Sequence, residues 1–347
     1  MAIGDFELGR LLGSGAFGQV YLGTNIQTGV EVAVKLEEGD HVMSELEALA
    51  YQILAGGPGI SQLHDSGPNF IVLDLLGPSL KSIFIKCDKD FSTSTVLIIA
   101  EQMITCLEYV HSEGLIHGDI KPDNMLIGRG RHSAQIYLAD FGLVAWYLRP
   151  DTQEHVPLTE PGFEGTAKFA SIRAHEGLQL FPRDDLESFG YVIMYLSLGY
   201  LPWTGLHAYS NEDHEVLADV KRDFLRDRDH EERVVNSSRT FATPILPYIA
   251  TDSFVHEKQW IPSEFMAYLR YCRRLRFEQK PDYDHLRCMF MGLFMELCFY
   301  ESWVPDWAAS EANWTDDLGD IESRVSWSWT APRSDVSNAS EEDDPTW

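Results

Sequence analysis

Between residues 5 and 36, apolar and polar positions alternate around glycine turns, the period-two pattern of antiparallel strands. The period then lengthens. In MSELEALAYQILAGG, residues 43–57, Leu46, Leu49, Ala50, Ile53 and Leu54 recur at helical spacing ahead of a glycine stop, which predicts a helix. FIVLDLLG reads as one further strand. From Ser92 the stretch STSTVLIIAEQMITCLEYVHSEG has a Ser/Thr start, an apolar stripe and a closing Gly114. Most of the chain beyond it, as far as about Trp307, carries helical patterning. Strands first and helices later predict an α+β protein with two unequal lobes, residues 1–76 and 77–307.

Residues 308–347 break the pattern. They hold ten acids against Arg324 and Arg333, a net of −8, with frequent serine and no aliphatic period, which predicts a mostly disordered tail. Trp314, Trp327, Trp329 and Trp347 are candidates for docking that tail onto the body. Ser334, Ser337 and Ser340 stand three apart among acids. There is no internal repeat.

Composition narrows the function classes. A chain of 347 residues buries one large core or two moderate ones. No run approaches the ~20 apolar residues of a membrane span, and MAIGDFELGR lacks the basic start and apolar stretch of a secretory signal. A net charge of −27 argues against nucleic acid or an anionic membrane as the main partner, since both need a positive footprint. The five cysteines (Cys87, Cys106, Cys272, Cys288, Cys298) show no CxxC pairing and are expected to be reduced, mostly buried thiols in a cytoplasmic or nuclear protein rather than a metal site.

Four motifs carry chemistry. GSGAFGQV contains Gly13, Gly15 and Gly18; alone it reads equally as a dinucleotide fingerprint, a plain turn or a phosphate-covering loop. Its place between two predicted strands, with VAVK following at 32–35, favours the last, because small residues let backbone N–H groups approach ATP phosphates. Lys35 is then a candidate for the α- and β-phosphates, paired with a glutamate of the next helix, Glu47 by preference with Glu45 as its competitor. HGDIKPDN, residues 117–124, supplies a carboxylate to accept a hydroxyl proton (Asp119), a cation near the transferred group (Lys121) and an oxygen ligand for Mg²⁺ (Asn124). LADFG at 138–142 adds Asp140 as a second magnesium ligand. The order and spacing of the whole set, more than any one motif, point to phosphoryl transfer.

From about Phe6 to Trp307 the chain resembles the casein kinase I family of serine/threonine protein kinases. The resemblance rests on LLGPSL (75–80), the DIKPDN run, GTAKFASI (165–172), DDLESFGYVIMYLSLGYLPWTGL (184–206), PSEF (262–265) and LRFEQKPDYDHLR (275–287). Residues 171–173, Ser-Ile-Arg, match that family's Ser-Ile-Asn type where most protein kinases have Ala-Pro-Glu. The resemblance implies a bilobal kinase, active as a monomer on protein substrates with ATP and Mg²⁺. It implies adenine bonds to the backbone of Asp74 and Leu76, Leu73 as gatekeeper, and a nucleotide site lined by Leu12, Val20, Ala33 and Leu126. Thr166 is expected to seat the substrate hydroxyl near Asp119, and Asp185 to anchor the catalytic loop; a plain helix cap is its alternative role.

Two departures from the family stand out. Gly118 replaces the usual arginine before the catalytic aspartate, as in aminoglycoside and choline kinases, which nevertheless lack Lys-Pro after that aspartate and lack a GTAKFAS segment. The glycine is expected to loosen the loop by roughly 0.5–1 kcal/mol and to tolerate arginine. Its lack of a cation argues against activation by phosphorylation of the neighbouring segment. The family's basic cluster for a phosphate or acidic group on the substrate falls here on Pro161, Lys168, Gly205, Asn211, Glu212 and His214, of which only Lys168 is firmly cationic. Preference for primed substrates is therefore expected to weaken, with Lys221 and Arg222 as candidate replacements for the lost charge. A pseudokinase or scaffold that binds nucleotide or a partner is the alternative function.

Overall fold

The alternating N-terminal stretch folds as a ladder of hairpins. The computed structural model describes residues 2–15, 18–37, 42–235, 261–297 and 304–309. In it β1 (Ala2–Ile3), β2 (Phe6–Gly15), β3 (Gly18–Asn25) and β4 (Glu31–Leu36) pair antiparallel in sequence order. Helix α1 (Val42–Ile53) follows, and β5 (Leu63–Gly67) and β6 (Phe70–Asp74) complete a sheet ordered β1-β2-β3-β4-β6-β5. Period-two spacing puts Val32 and Val34 on one face of β4, where they pack with Phe6 and Val72 in a small cluster of their own.

Helix α1 forms where its spacing predicts, and Ala50 and Leu54 of the predicted stripe are buried, but two of its leucines turn outward. Leu46 and Leu49 are 43% and 42% exposed, while Ser44, Glu47, Ala48 and Tyr51 are buried. These four stand at i, i+3, i+4 and i+7, so they do share one face. Two of the inward positions belong to a carboxylate and a tyrosine that serve the catalytic centre. Counting apolar residues therefore finds part of the inward face and misses Ser44, Glu47 and Tyr51.

The second half is built on α2 (Leu80–Lys86), α3 (Thr93–Ser112), the short strands β7 (Leu115–Ile116), β8 (Met125–Ile127), β9 (Ile136–Leu138) and β10 (Ala145–Trp146), then α4 (Ile172–His175) and α5 (Pro182–Leu198). Helices α6 (Asn211–Val235), α7 (Ser263–Arg274), α8 (Tyr283–Leu297) and α9 (Asp306–Ala309) come after them. Ser92 caps α3 by accepting from Thr95 N, as its sequence predicts. Helices α3, α5, α7 and α8 share one apolar core that includes Leu107, Phe189, Leu269 and Phe290. Each such side chain contributes about 1.5–3 kcal/mol by leaving water. Trp307 closes that core, its ring N–H donating to Ser133 O at 3.2 Å, while the Asp306 carboxylate accepts from Ser92 N at 2.6 Å.

The α+β fold with a curled antiparallel sheet and a larger helical region is as expected. The mostly helical expectation beyond Ser92 holds, and two small antiparallel pairs, β7 with β10 and β8 with β9, add to it strands too short to leave a period. Cys106 and Cys272 are buried, Cys87 is half-buried and Cys288 exposed, all four as free thiols; the expectation of mostly buried thiols is half met. Cys298, the tail from residue 310, its tryptophans and its serine series lie outside the described residues. No helix among the described residues is long and apolar enough to cross a membrane.

Candidate active site

Strand β4 aims Lys35 at the junction of the sheet with the helical half. Its Nζ donates to Glu47 Oε2 at 2.5 Å and to Asp140 Oδ1 at 2.9 Å. The partner is thus Glu47, buried on α1, and not the exposed Glu45. Burial pulls the Lys35 ammonium down, but the two carboxylates beside it outweigh that and hold it well above its ordinary value. Burial, the dominant influence on Glu47, pushes that carboxyl up to about 7, against the pull of Lys35. At neutral pH the Lys35 ammonium is charged and the Glu47 carboxyl stands near its titration point.

Asp140 sits in the left-handed region, φ +65°. Its N–H donates to Tyr51 OH at 3.3 Å, and the next residue, Phe141, is fully buried between Tyr51 and His117, with ring centroids 5.1 and 5.0 Å away. A strained backbone at one carboxylate, locked by an aromatic stack, is the expected form of a preorganised ligand.

The loop after β7 brings the other groups in. Asp119 is 5% exposed, and Lys121 Nζ donates to its Oδ2 at 2.5 Å and to Thr166 Oγ1 at 3.1 Å. One ammonium therefore links the candidate base Asp119 to the candidate hydroxyl seat Thr166, which lies 45 residues beyond the lysine in the chain. Asn124 Nδ2 donates to Asp119 O at 3.0 Å, which leaves its side-chain oxygen as the ligand atom.

Asp185 holds this loop from beneath. Its buried carboxylate accepts from His117 N at 2.7 Å, Gly118 N at 3.0 Å and the His111 ring at 3.0 Å. Burial works to raise its pKa, but those donors win and keep it below the ordinary carboxylate range. Capping falls to its neighbour: Asp184 accepts from Phe181 N at 3.0 Å at the start of α5. Asp185 is left free for the loop.

Gly118 is not a loosened position, which corrects the expectation. Its φ is +80°, and a Cβ built there would lie 2.8 Å from Leu143 O. Both conformation and space call for glycine, so arginine in this backbone is strained. Gly18 is required in the same way: φ is +121°, and a Cβ would meet Leu36 O at 2.1 Å.

The nucleotide-side residues are carried by the sheet and the segment after it. Leu12 and Gly13 lie on β2, and Gly13 pairs with Val20 and Gly15 with Gly18 across the hairpin. Ala33 pairs with Leu73 across β4 and β6. Asp74 N is spent on Gln62 O at 3.1 Å, so its carbonyl is the group left to meet a base. Leu126, on β8, is tied to the segment holding Leu76 through Gly77 N to Ile127 O at 2.8 Å.

The expected basic cluster is not assembled. Lys168 Nζ lies over the Tyr195 ring, 4.0 Å from its centroid, and burial, with Lys81 and Lys89 nearby, lowers its pKa. Asn211 and Glu212 are exposed at the start of α6. His214 is buried, its Nδ1 2.9 Å from His175 Nδ1 and its ring packed on Phe163; burial lowers its pKa, so it is neutral at neutral pH. The proposed replacements do not serve. Arg222 pairs with Glu176 and Asp219. Lys221 is fully buried and donates to Ala167 O at 2.9 Å and Ala170 O at 2.7 Å. Sequence reasoning missed what Lys221 does: it clamps the segment that carries Thr166. It also missed Glu187, which accepts from Ile172 N at 3.0 Å and pairs with Arg273 at 3.4 Å where the Ser-Ile-Arg stretch has no carboxylate.

A lysine held between two carboxylates, one carboxylate and one amide as hard oxygen donors, and a buried aspartate bridged to a hydroxyl define a phosphoryl-transfer centre. Two such donors suit Mg²⁺, which keeps waters and substrate phosphates as its other ligands. Residues 6–251 match the family model described as protein kinase domain, and the chain belongs to that family. Members of the family generally use ATP and Mg²⁺, act on protein substrates, and share this α+β architecture.

Proposed function

We propose that this kinase is a serine/threonine protein kinase of the casein kinase I type, divided at residues 76/77, whose recognition of phosphate on the substrate is weak. The observation that carries catalysis is the double contact of Lys121 with Asp119 and Thr166, together with Lys35 held by Glu47 and Asp140. Bound ATP with Mg²⁺ supplies the phosphoryl group. Asp119 orients and accepts the proton of the attacking hydroxyl, Thr166 seats that hydroxyl, and Lys121 offsets charge near the reacting oxygens. Lys35 holds the α- and β-phosphates; Asp140 and Asn124 present oxygens to the ion. Leu12, Gly13, Gly15, Gly18, Val20, Ala33 and Leu126 enclose the nucleotide, with Leu76 and the Asp74 carbonyl on the adenine edge. We assign no nucleic acid partner and take the acting unit to be a monomer.

The recognition half of the reading rests on charge. Of the six cluster positions, Lys168 lies on an aromatic face and His214 is turned inward, while Glu212 repels. Each lost charge-assisted bond to phosphate removes about 1.5–3 kcal/mol. The test compares kcat/KM for a peptide bearing phosphoserine three residues before the target serine with its unphosphorylated twin. A primed-to-unprimed ratio under about ten supports the reading; a ratio of about a hundred or more rejects it. No incorporation from either peptide, or from a degenerate library, favours the pseudokinase alternative.

A further inference from the structure

Beneath the catalytic loop lies a small cleft, open to solvent at its mouth. Ile116, Leu143, Leu178 and Leu180 give it apolar walls. Gly118 lines its catalytic side, one residue from Asp119, and Glu164 lines its other lip, two residues from Thr166. The two lips touch: a Cβ built on Gly165 would lie 2.9 Å from Gly118 O and 3.5 Å from an Asp119 carboxylate oxygen. The cleft therefore opens within about one or two residue lengths, ~3.8 Å each, of the acceptor site.

We propose that this cleft is a specificity site that takes an apolar side chain from the peptide substrate, with lysine or arginine beside it. Two features decide the occupant. Among the described residues no lysine, arginine or histidine lines the cleft, so a phosphate or carboxylate placed there is desolvated without a partner from its walls. The only charge on its lining is Glu164, and Glu160 is exposed just upstream, on a chain of net charge −27. That rim attracts basic residues flanking the apolar one. The chain's own tail is a poor fit, since its ten acids against two arginines face the same glutamates. The absence of the arginine side chain at Gly118 and the presence of Ala145 and Pro161 on the lining keep the space open and uncharged.

The inference rests on the kinase reading, and its test separates the two. In a lysine-flanked glycine–alanine peptide with a single serine, leucine is walked one position at a time along both sides. Two quantities are measured: kcat/KM for transfer, and Kd by anisotropy of labelled peptide with a non-hydrolysable ATP analogue. Leucine at one position near the serine is expected to improve both by about ten- to a hundredfold over alanine. Aspartate or phosphoserine at that position is expected to fall below alanine. The paired change Pro161→Lys, Glu164→Lys, at two exposed positions, is expected to erase the leucine preference and favour the acidic peptide, with transfer to the alanine peptide retained. Transfer with no positional preference overturns the pocket and leaves the kinase reading intact. Leucine-selective binding without transfer to any peptide keeps the pocket and sinks the kinase reading. Absence of both overturns both. Displacement of the leucine peptide by a synthetic 310–347 segment assigns the cleft to the tail and also overturns the proposal.

Discussion

The two sides of the catalytic loop have different histories written in their contacts. On the nucleotide side, every charged group has a charged partner: Lys35 with Glu47 and Asp140, and Lys121 with Asp119. On the substrate side, the positions where the proposed casein kinase I type offers cations hold a glycine, a proline, an asparagine, a glutamate and an inward-turned histidine. The one lysine left there lies on Tyr195. Phosphoryl transfer tolerates little variation in charge placement, because its transition state needs the same stabilisation whatever the acceptor. Recognition of the acceptor's neighbours is free to change, and the proposed function is that in this chain it has.

The largest test of that contrast removes chemistry and leaves recognition. Asp119→Asn and Asp140→Asn are each expected to lower kcat by at least ~10²–10⁴-fold, with the thermal transition within a few degrees of wild type and peptide Kd unchanged. Retained turnover in either purified variant breaks the assignment. Next in size is Asp185→Ala, which strips the partner from His117 N and Gly118 N, both held at 3.0 Å or less. Leaving each buried donor unpaired costs about 1–3 kcal/mol. Chemical denaturation should show the loss, and kcat should fall with it.

Lys221→Met probes the substrate side from within. Its ammonium is the shared donor to Ala167 O and Ala170 O, and it stands 3.0 Å from His175 Nε2. Its loss is expected to cost about 1–3 kcal/mol and to raise KM for peptide while KM for ATP stays put. An unchanged peptide KM would remove Lys221 from substrate positioning. Gly118→Ala, at φ +80° and with Leu143 O in the way, is expected to cost about 1–3 kcal/mol and to reduce kcat; Gly118→Arg should do at least as much. Full activity in either variant would restore the looser reading of this glycine.

The smallest effect is in pH. Glu47 titrates near 7 in the folded protein, above its ordinary value of 4.5. Its ionised form is therefore the disfavoured one, and as pH falls from about 7 towards 4.5 its contribution to stability rises. Lys35 stays protonated in both states over that range. Activity should move the opposite way, because a protonated Glu47 no longer holds Lys35. The profile of kcat/KM for ATP is expected to lose its acid limb in Glu47→Gln, at a lower plateau.

Legibility in the sequence divides along the same line. Lys35, Asp119, Asn124 and Asp140 are legible because chemistry restricts residue type and spacing within a few positions of a motif. Glu47 was legible as the preferred of two glutamates, and the fold decides between them by burying Glu47 beside Lys35 and exposing Glu45. The clamp by Lys221, the support from Glu187 and the fit of Gly118 against Leu143 were not legible. Each joins segments far apart in the chain, and each side chain has an ordinary local reading: a surface lysine, a helix glutamate, a flexible glycine. Likewise, SNEDH at 210–214 reads as lost charge, yet in the fold it is a helix start in which Asp213 accepts from Tyr209 N and Ser210 N. His214 is turned inward by that helix.

The central claim is an intact transfer centre beside a recognition surface that no longer selects phosphate. It is met most directly by one kinetic comparison: wild type and Asp140→Asn, with ATP and Mg²⁺, on a serine peptide and its phosphoserine-primed twin. The account predicts incorporation by wild type alone, with the two peptides within about tenfold of each other in kcat/KM. Incorporation no greater than that of the variant, or a primed preference of about a hundredfold, would contradict it.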